Sequence, residues 1–129
     1  MKQVVASAIQ FNITVGNIEQ NLEKGCAALR RAADGGAQLA VLPEMWSCGY
    51  DYRNLKSLAE RTPQVLTRWQ EVCADHRLVS VGSLPELCDG AIYNTAYVLD
   101  GGEIVASYRK LHLFSTMGED RVLTAGDAA

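Results

Sequence analysis

The spacing of apolar positions changes repeatedly along this chain, and each change predicts an element. Val4 to Phe11 is apolar on both faces, the pattern of an interior strand. Asn12 to Gly16 make a turn. Ile18, Leu22, Cys26, Leu29 and Ala33 then recur at helical spacing as far as about Asp34. Asn17 is the predicted N-cap, with Gln20 placed to reach back as in a capping box, and Gly35-Gly36 is the stop. A strand from about Gln38 to Leu42 closes a βαβ unit. Leu55 to Arg61 reads as a short helix. Thr62-Pro63 opens a stronger one, with threonine as cap, whose buried face is Val65, Leu66, Trp69, Val72 and Cys73. Leu78–Leu84, Ala91–Leu99 and Glu103–Leu113 read as strands, separated by a Pro85–Gly90 turn and an Asp100-Gly101-Gly102 hairpin turn. The order β-α-β-α-β-β-β predicts an α/β fold, a mixed sheet with helices on one face. The strands are apolar toward the other face too, so that face calls for a second layer.

Composition narrows the function more than the fold. At 129 residues and 48% hydrophobic, the chain suits one domain with a real core. A net charge of −3 with only scattered basic pairs gives no footprint for nucleic acid or an anionic membrane. The N-terminal apolar run meets Gln10 and Asn12 too early for a signal peptide or a membrane span, so a cytoplasmic location is expected. Cys26, Cys48, Cys73 and Cys88 are widely spaced, which predicts neither a zinc site nor a disulfide framework. Cys26 and Cys73 fall in helical patterns and are expected to be buried thiols. No glycine-rich phosphate loop supports a nucleotide function.

The richest stretch is Leu39-Ala40-Val41-Leu42-Pro43-Glu44-Met45-Trp46-Ser47-Cys48-Gly49-Tyr50. A buried strand ends on a proline and then on a carboxylate. Pro43 keeps Leu42 extended, so Glu44 falls at the carboxyl end of a strand, where α/β sheets collect ligands. Burial there would raise the Glu44 pKa toward neutrality and make it a general base. Two later positions complete a pattern: Lys110 in Tyr108-Arg109-Lys110-Leu111-His112-Leu113-Phe114, and Glu119 in Met117-Gly118-Glu119-Asp120. Taken singly, Glu44 reads as a loop carboxylate, Lys110 as an edge-strand charge and Glu119 as part of a surface turn.

Taken together, these motifs resemble the carbon–nitrogen hydrolase (nitrilase) superfamily over essentially the whole chain, and look most like its bacterial ω-amidase branch. The resemblance implies an α-β-β-α sandwich of which residues 1–129 form roughly the first half. It implies hydrolysis of a small-molecule amide by a Glu–Lys–Cys triad through a thioester, without metal or organic cofactor, in a homo-oligomer. Glu44 would be the base, Lys110 the oxyanion stabiliser and Glu119 a supporting carboxylate. The nucleophilic cysteine would follow Lys110, and no cysteine does so here, so a partial domain ending before the nucleophile is expected. Tyr50 and Trp46 flank the expected pocket, with core packing equally open for the tryptophan. Cys48 is set aside as nucleophile because the pattern places that residue after the lysine. Cys88 is expected to be an exposed thiol in its turn. Arg109 alternates to the opposite strand face and is read as structural. Asn94 is read as a structural hydrogen-bonder, and His112 as a packed residue or one standing behind the site. Nitrile hydrolysis, N-carbamoyl amine hydrolysis, acyl transfer and a non-catalytic binding or assembly module remain as alternatives.

Overall fold

The computed structural model describes residues 2–128. Strands β1 (Ala6–Ala8), β2 (Leu39–Val41), β3 (Val79–Cys88), β4 (Ala91–Asp100) and β5 (Glu103–Arg109) form one five-stranded sheet in sequence order. β1, β2 and β3 pair in parallel, and β3, β4 and β5 pair antiparallel. Helix α1 (Ile18–Asp34) connects β1 to β2, while α2 (Leu55–Glu60) and α3 (Thr62–His76) lie between β2 and β3. This is the expected α/β order and a mixed sheet.

The helix boundaries follow local chemistry. Asn17 caps α1 by accepting the Gln20 backbone N–H at 3.0 Å. The Gln20 side chain makes no return bond, so half of the predicted capping box forms. Gly25 lets α1 approach Trp46, since a Cβ there would come within 2.7 Å of the indole ring. The threonine expected to cap α3 lies inside the helix instead. Arg61 occupies the cap position, and the Thr62 hydroxyl donates to the Pro85 carbonyl at 2.6 Å.

Three strand expectations need correction. β1 is short and lies at the edge of the five described strands, with Val4 66% and Val5 51% exposed, so within these residues it is not an interior strand. Pro85 is not a turn residue. It pairs with Asn94 inside β3, beyond the point where β2 stops, so its missing N–H faces no neighbouring strand. The turn is confined to Asp89-Gly90, both at positive φ. β5 ends at Arg109 rather than Leu113, although Lys110 N–H still reaches the Asn94 carbonyl at 2.8 Å.

The core lies between sheet and helices. Trp46 and Trp69 are fully buried there, edge to face with ring centroids 5.6 Å apart, and Trp69 Nε1 donates to Ser80 Oγ at 3.0 Å. Paired residues share a sheet face, so Ala40, Ser80 and Leu99 belong to this covered side. Val41, Val81, Val98 and Ala106 share the opposite side, where Val41 is 41% exposed. β5 carries Ile104, Val105 and Tyr108 exposed as well. The helices cover one face and leave an apolar one open, as the strand pattern predicts.

Candidate active site

Parallel β2 and β3 end at the same side of the sheet, and the antiparallel pairing returns the start of β4 and the end of β5 to it. That topology brings together Glu44 from the loop after β2, Asn94 from β4 and Lys110 from just beyond β5. The loop after β2 turns sharply. Met45 has φ 52, a left-handed conformation unfavourable for a bulky side chain, and is fully buried. Its N–H donates to Ser83 Oγ at 2.9 Å, and its carbonyl accepts from Gly49 N–H at 2.8 Å. Asn21, also fully buried on α1, ties this loop to the one before α1 by bonding Ser47 O and both the N–H and carbonyl of Thr14. The turn that aims Glu44 is therefore held from three sides.

Lys110 Nζ lies 2.9 Å from Glu44 Oε1 and 3.0 Å from Glu119 Oε1, bridging two carboxyl groups. Glu119 is 2% exposed, and its Oε2 accepts the Phe114 backbone N–H at 2.7 Å. Asn94, 3% exposed, donates from Nδ2 to Glu44 Oε1 at 2.7 Å. A cavity of about 390 Å³ opens over this group, lined by Glu44, Tyr50, Tyr52, Lys110, Phe114, Met117 and Glu119. A smaller one of about 240 Å³ lies on the other side of the Glu44–Lys110 pair, toward Ser83, Asn94, Ala96 and Tyr108.

Electrostatics correct the expected state of Glu44. Its side chain keeps 44% exposure. Desolvation pushes its pKa up, but Lys110, Tyr50 and Asn94 donate toward it, and the carboxyl ends below its ordinary value rather than near neutrality. Lys110 is shifted upward: desolvation disfavours its charge, and Glu44 and Glu119 more than offset that. Burial and the neighbouring Glu44 carboxylate raise the Tyr50 hydroxyl, which therefore stays protonated as a donor. At rest the site holds a carboxylate proton acceptor beside a fixed ammonium.

Of the residues singled out by sequence, Glu44, Lys110, Glu119 and Tyr50 converge on one cavity. Trp46 does not. Its indole is fully buried between Gly25 and Gly82 in the core, and its Nε1 finds no acceptor among the described residues. A large ring two residues after a chain reversal points into the protein, away from the carboxylate it follows. His112 is exposed rather than packed. Cys48 is fully buried, with its thiol pushed up to about 11 by burial, the wrong setting for a nucleophile. Cys26 and Cys73 are buried as expected, and Cys88 is partly exposed at the end of β3. Arg109 forms a two-pronged pair with Glu86 and stacks on Tyr93. Sequence reasoning missed Tyr52, Phe114 and Met117 as cavity walls; Asn94, read as a structural hydrogen-bonder, does bond, and its acceptor is Glu44. An apolar residue in a loop carries no signal of which cavity it lines; Tyr52, two positions after Tyr50, was the one visible hint.

The chain is similar to several known proteins. A family model described as carbon-nitrogen hydrolase matches residues 5–128. A 2-oxoglutaramate amidase from Bacillus subtilis is 35% identical over 123 residues, which cover 93% of this chain and 47% of that protein. Omega-amidase NIT2 from Pongo abelii is 33% identical over 130 residues, again 93% of this chain and 47% of the relative. A mutant of the amidase from Nesterenkonia sp. AN1 superposes with a TM-score of 0.89 at 25% identity, covering 98% of this chain and 51% of that one, and shows the result of Michael addition of acrylamide at its active site cysteine. The chain thus spans about half the length of these relatives.

Proposed function

The chain belongs to the carbon–nitrogen hydrolase family, and on that premise we propose that it carries the base and the lysine of an amidase acting on small-molecule amides. The observation that carries this reading is Lys110 Nζ held between Glu44 and Glu119 at the rim of a cavity. The nucleophile is a cysteine supplied by polypeptide outside these 129 residues, as the acrylamide-reactive cysteine of the Nesterenkonia amidase suggests.

Each residue then has a task. Glu44 takes the thiol proton as sulfur bonds to the amide carbon. The C=O electron pair moves onto oxygen, and Lys110 stabilises that oxyanion. An ammonium has three donors; with two directed at Glu44 and Glu119, one remains for the substrate oxygen. Glu119, fixed by the Phe114 N–H, holds Lys110 in place. On collapse, Glu44 returns the proton to nitrogen, the C–N bond breaks and ammonia leaves a thioester. Glu44 next takes a proton from water and hydroxide adds to the thioester; the C–S bond breaks, Glu44 returns the proton to the leaving thiolate and the acid departs.

The relatives' names favour the terminal amide of a short dicarboxylic monoamide as substrate. The test is ammonia release from such ω-amides by the complete, cysteine-bearing protein, with nitriles and N-carbamoyl amines in parallel. Ammonia from the amides, lost in Glu44→Gln, is the expected result. Turnover of nitriles or carbamoyl compounds alone would reassign the substrate, and no turnover of any of them would remove the hydrolase reading.

A further inference from the structure

Asn94 meets the site through two different groups. Its side-chain Nδ2 donates to Glu44 Oε1 at 2.7 Å, and its backbone carbonyl accepts the Lys110 N–H at 2.8 Å. It is 3% exposed and sits opposite Pro85 in the paired part of β4, so its position is set by the sheet rather than by a loop. Glu44, in contrast, hangs from a turn after β2. The bond from Asn94 is thus the link that ties a loop-borne carboxylate to the rigid sheet that also places Lys110.

Glu44 Oε1 also accepts Lys110 Nζ at 2.9 Å. Two donors on one oxygen make the two carboxylate oxygens unequal. A proton arriving at Oε1 would have to displace a hydrogen bond; one arriving at Oε2 leaves both in place. We infer that Asn94 is a positioning residue for Glu44, holding Oε1 as a permanent acceptor so that Oε2 is the oxygen that takes and returns the proton. The inference rests on Glu44 being the base of the proposed reaction. Because Asn94 donates in either protonation state, it needs no rearrangement between the acid and base steps. A donor to the charged form also favours that form.

The groups facing Glu44 are few. Lys110, the Tyr50 hydroxyl and the Asn94 amide all donate toward it and favour its charge, and Glu119 and Tyr52 line the same cavity. The test is a pH titration of the complete, cysteine-bearing protein by NMR, with ¹³C at the glutamate carboxyl carbons and ¹⁵N at the asparagine side chains. In the unaltered chain the Asn94 amide signal is expected to move with the midpoint of the Glu44 carboxyl. Asn94→Ala is expected to raise that midpoint by about one pH unit, the size of one lost charge-assisted hydrogen bond. Asn94→Asp should raise it further by setting a second carboxylate against the first. Glu86, which pairs with Arg109 instead, serves as the reference and should not move.

An Asn94 amide that ignores the Glu44 titration would overturn the inference, as would an unmoved midpoint in Asn94→Ala. The first readout needs no variant and stands if the variants fail to fold. Neither readout needs turnover. Coupled titration in a protein that hydrolyses no amide would remove the hydrolase reading and leave the pairing. Amide hydrolysis with a Glu44 midpoint indifferent to Asn94 would do the reverse.

Discussion

Arg109 and Lys110 are neighbours in sequence and both pair with glutamate, yet they build two unlike clusters. Arg109 grips Glu86 through two parallel bonds of 2.8 and 3.0 Å, with Thr95 satisfying the same carboxylate and Tyr93 stacked 4.0 Å beneath the guanidinium. One cation meets one anion in a two-pronged grip. Lys110 instead meets two carboxyl groups, one buried and one half-exposed, under an open cavity. A point charge with a spare donor, beside one more carboxyl group than there are cations, can answer an incoming group. The first cluster ties β3 to β5, and the second is equipped to move a proton.

The largest effects should separate the two clusters by activity, measured as ammonia release by the complete protein. Glu44→Gln keeps the shape and removes the base, with an expected loss in kcat of about 10²–10⁴-fold. Lys110→Ala is expected to lose about 10²–10³-fold, as for removal of an oxyanion donor, and Lys110→Arg should not restore it. Retained activity in either variant would place the chemistry elsewhere. On the other side, Arg109→Lys keeps the charge but breaks the fork. It is expected to lower the melting temperature while kcat per folded molecule holds; a fall in kcat without loss of stability would erase the distinction.

Acid titration sharpens the comparison. Glu86 is held below its ordinary value of 4.5 chiefly by Arg109, against desolvation and with help from Thr95. Desolvation pushes Glu44 up, but Lys110, Tyr50 and Asn94 together take it below its ordinary value. Both folded-state values lie below the unfolded ones. Their stabilisation is therefore complete above the unfolded value and is lost as pH falls through the folded one. Glu86 keeps 27% exposure and Glu44 44%, so Glu86→Gln should flatten the acid limb of a thermal-stability profile more than Glu44→Gln. The reverse order would mean that the Lys110 cluster holds the fold together.

The smallest effect concerns the cysteine that stands near Glu44 in sequence. Cys48→Ala should cost about 1 kcal/mol, the loss of one small buried group and its contact with the Gly49 carbonyl, and leave turnover intact. Loss of activity at full stability would return Cys48 to the mechanism.

Much of this was legible before any coordinates. The α1 boundaries follow from a 3.6-residue apolar stripe between Asn17 and Gly35. The Asp100-Gly101-Gly102 hairpin follows from glycines at positive φ. Glu44, Lys110 and Glu119 stood out through motif likeness, which is local information and survives without knowledge of neighbours. What sequence misjudged depends on distant partners. Val4–Phe11 has the composition of an interior strand, but edge or centre is decided by how many strands pair with it. Pro85 looked like a turn because the end of β2, which frees its N–H side, is not written near it. For Trp46 only burial could choose between pocket and core, and for Asn94, read as a hydrogen-bonder, only the fold could supply its acceptor, a carboxylate fifty positions away. The sequence by itself determined the order of elements, the open apolar sheet face and the residue types able to do acyl-transfer chemistry, since periodicity and motif act over a few residues. Only the tertiary structure decided which of them meet and that Glu44 rests as a carboxylate, because a charge's state depends on donors brought to it from other strands.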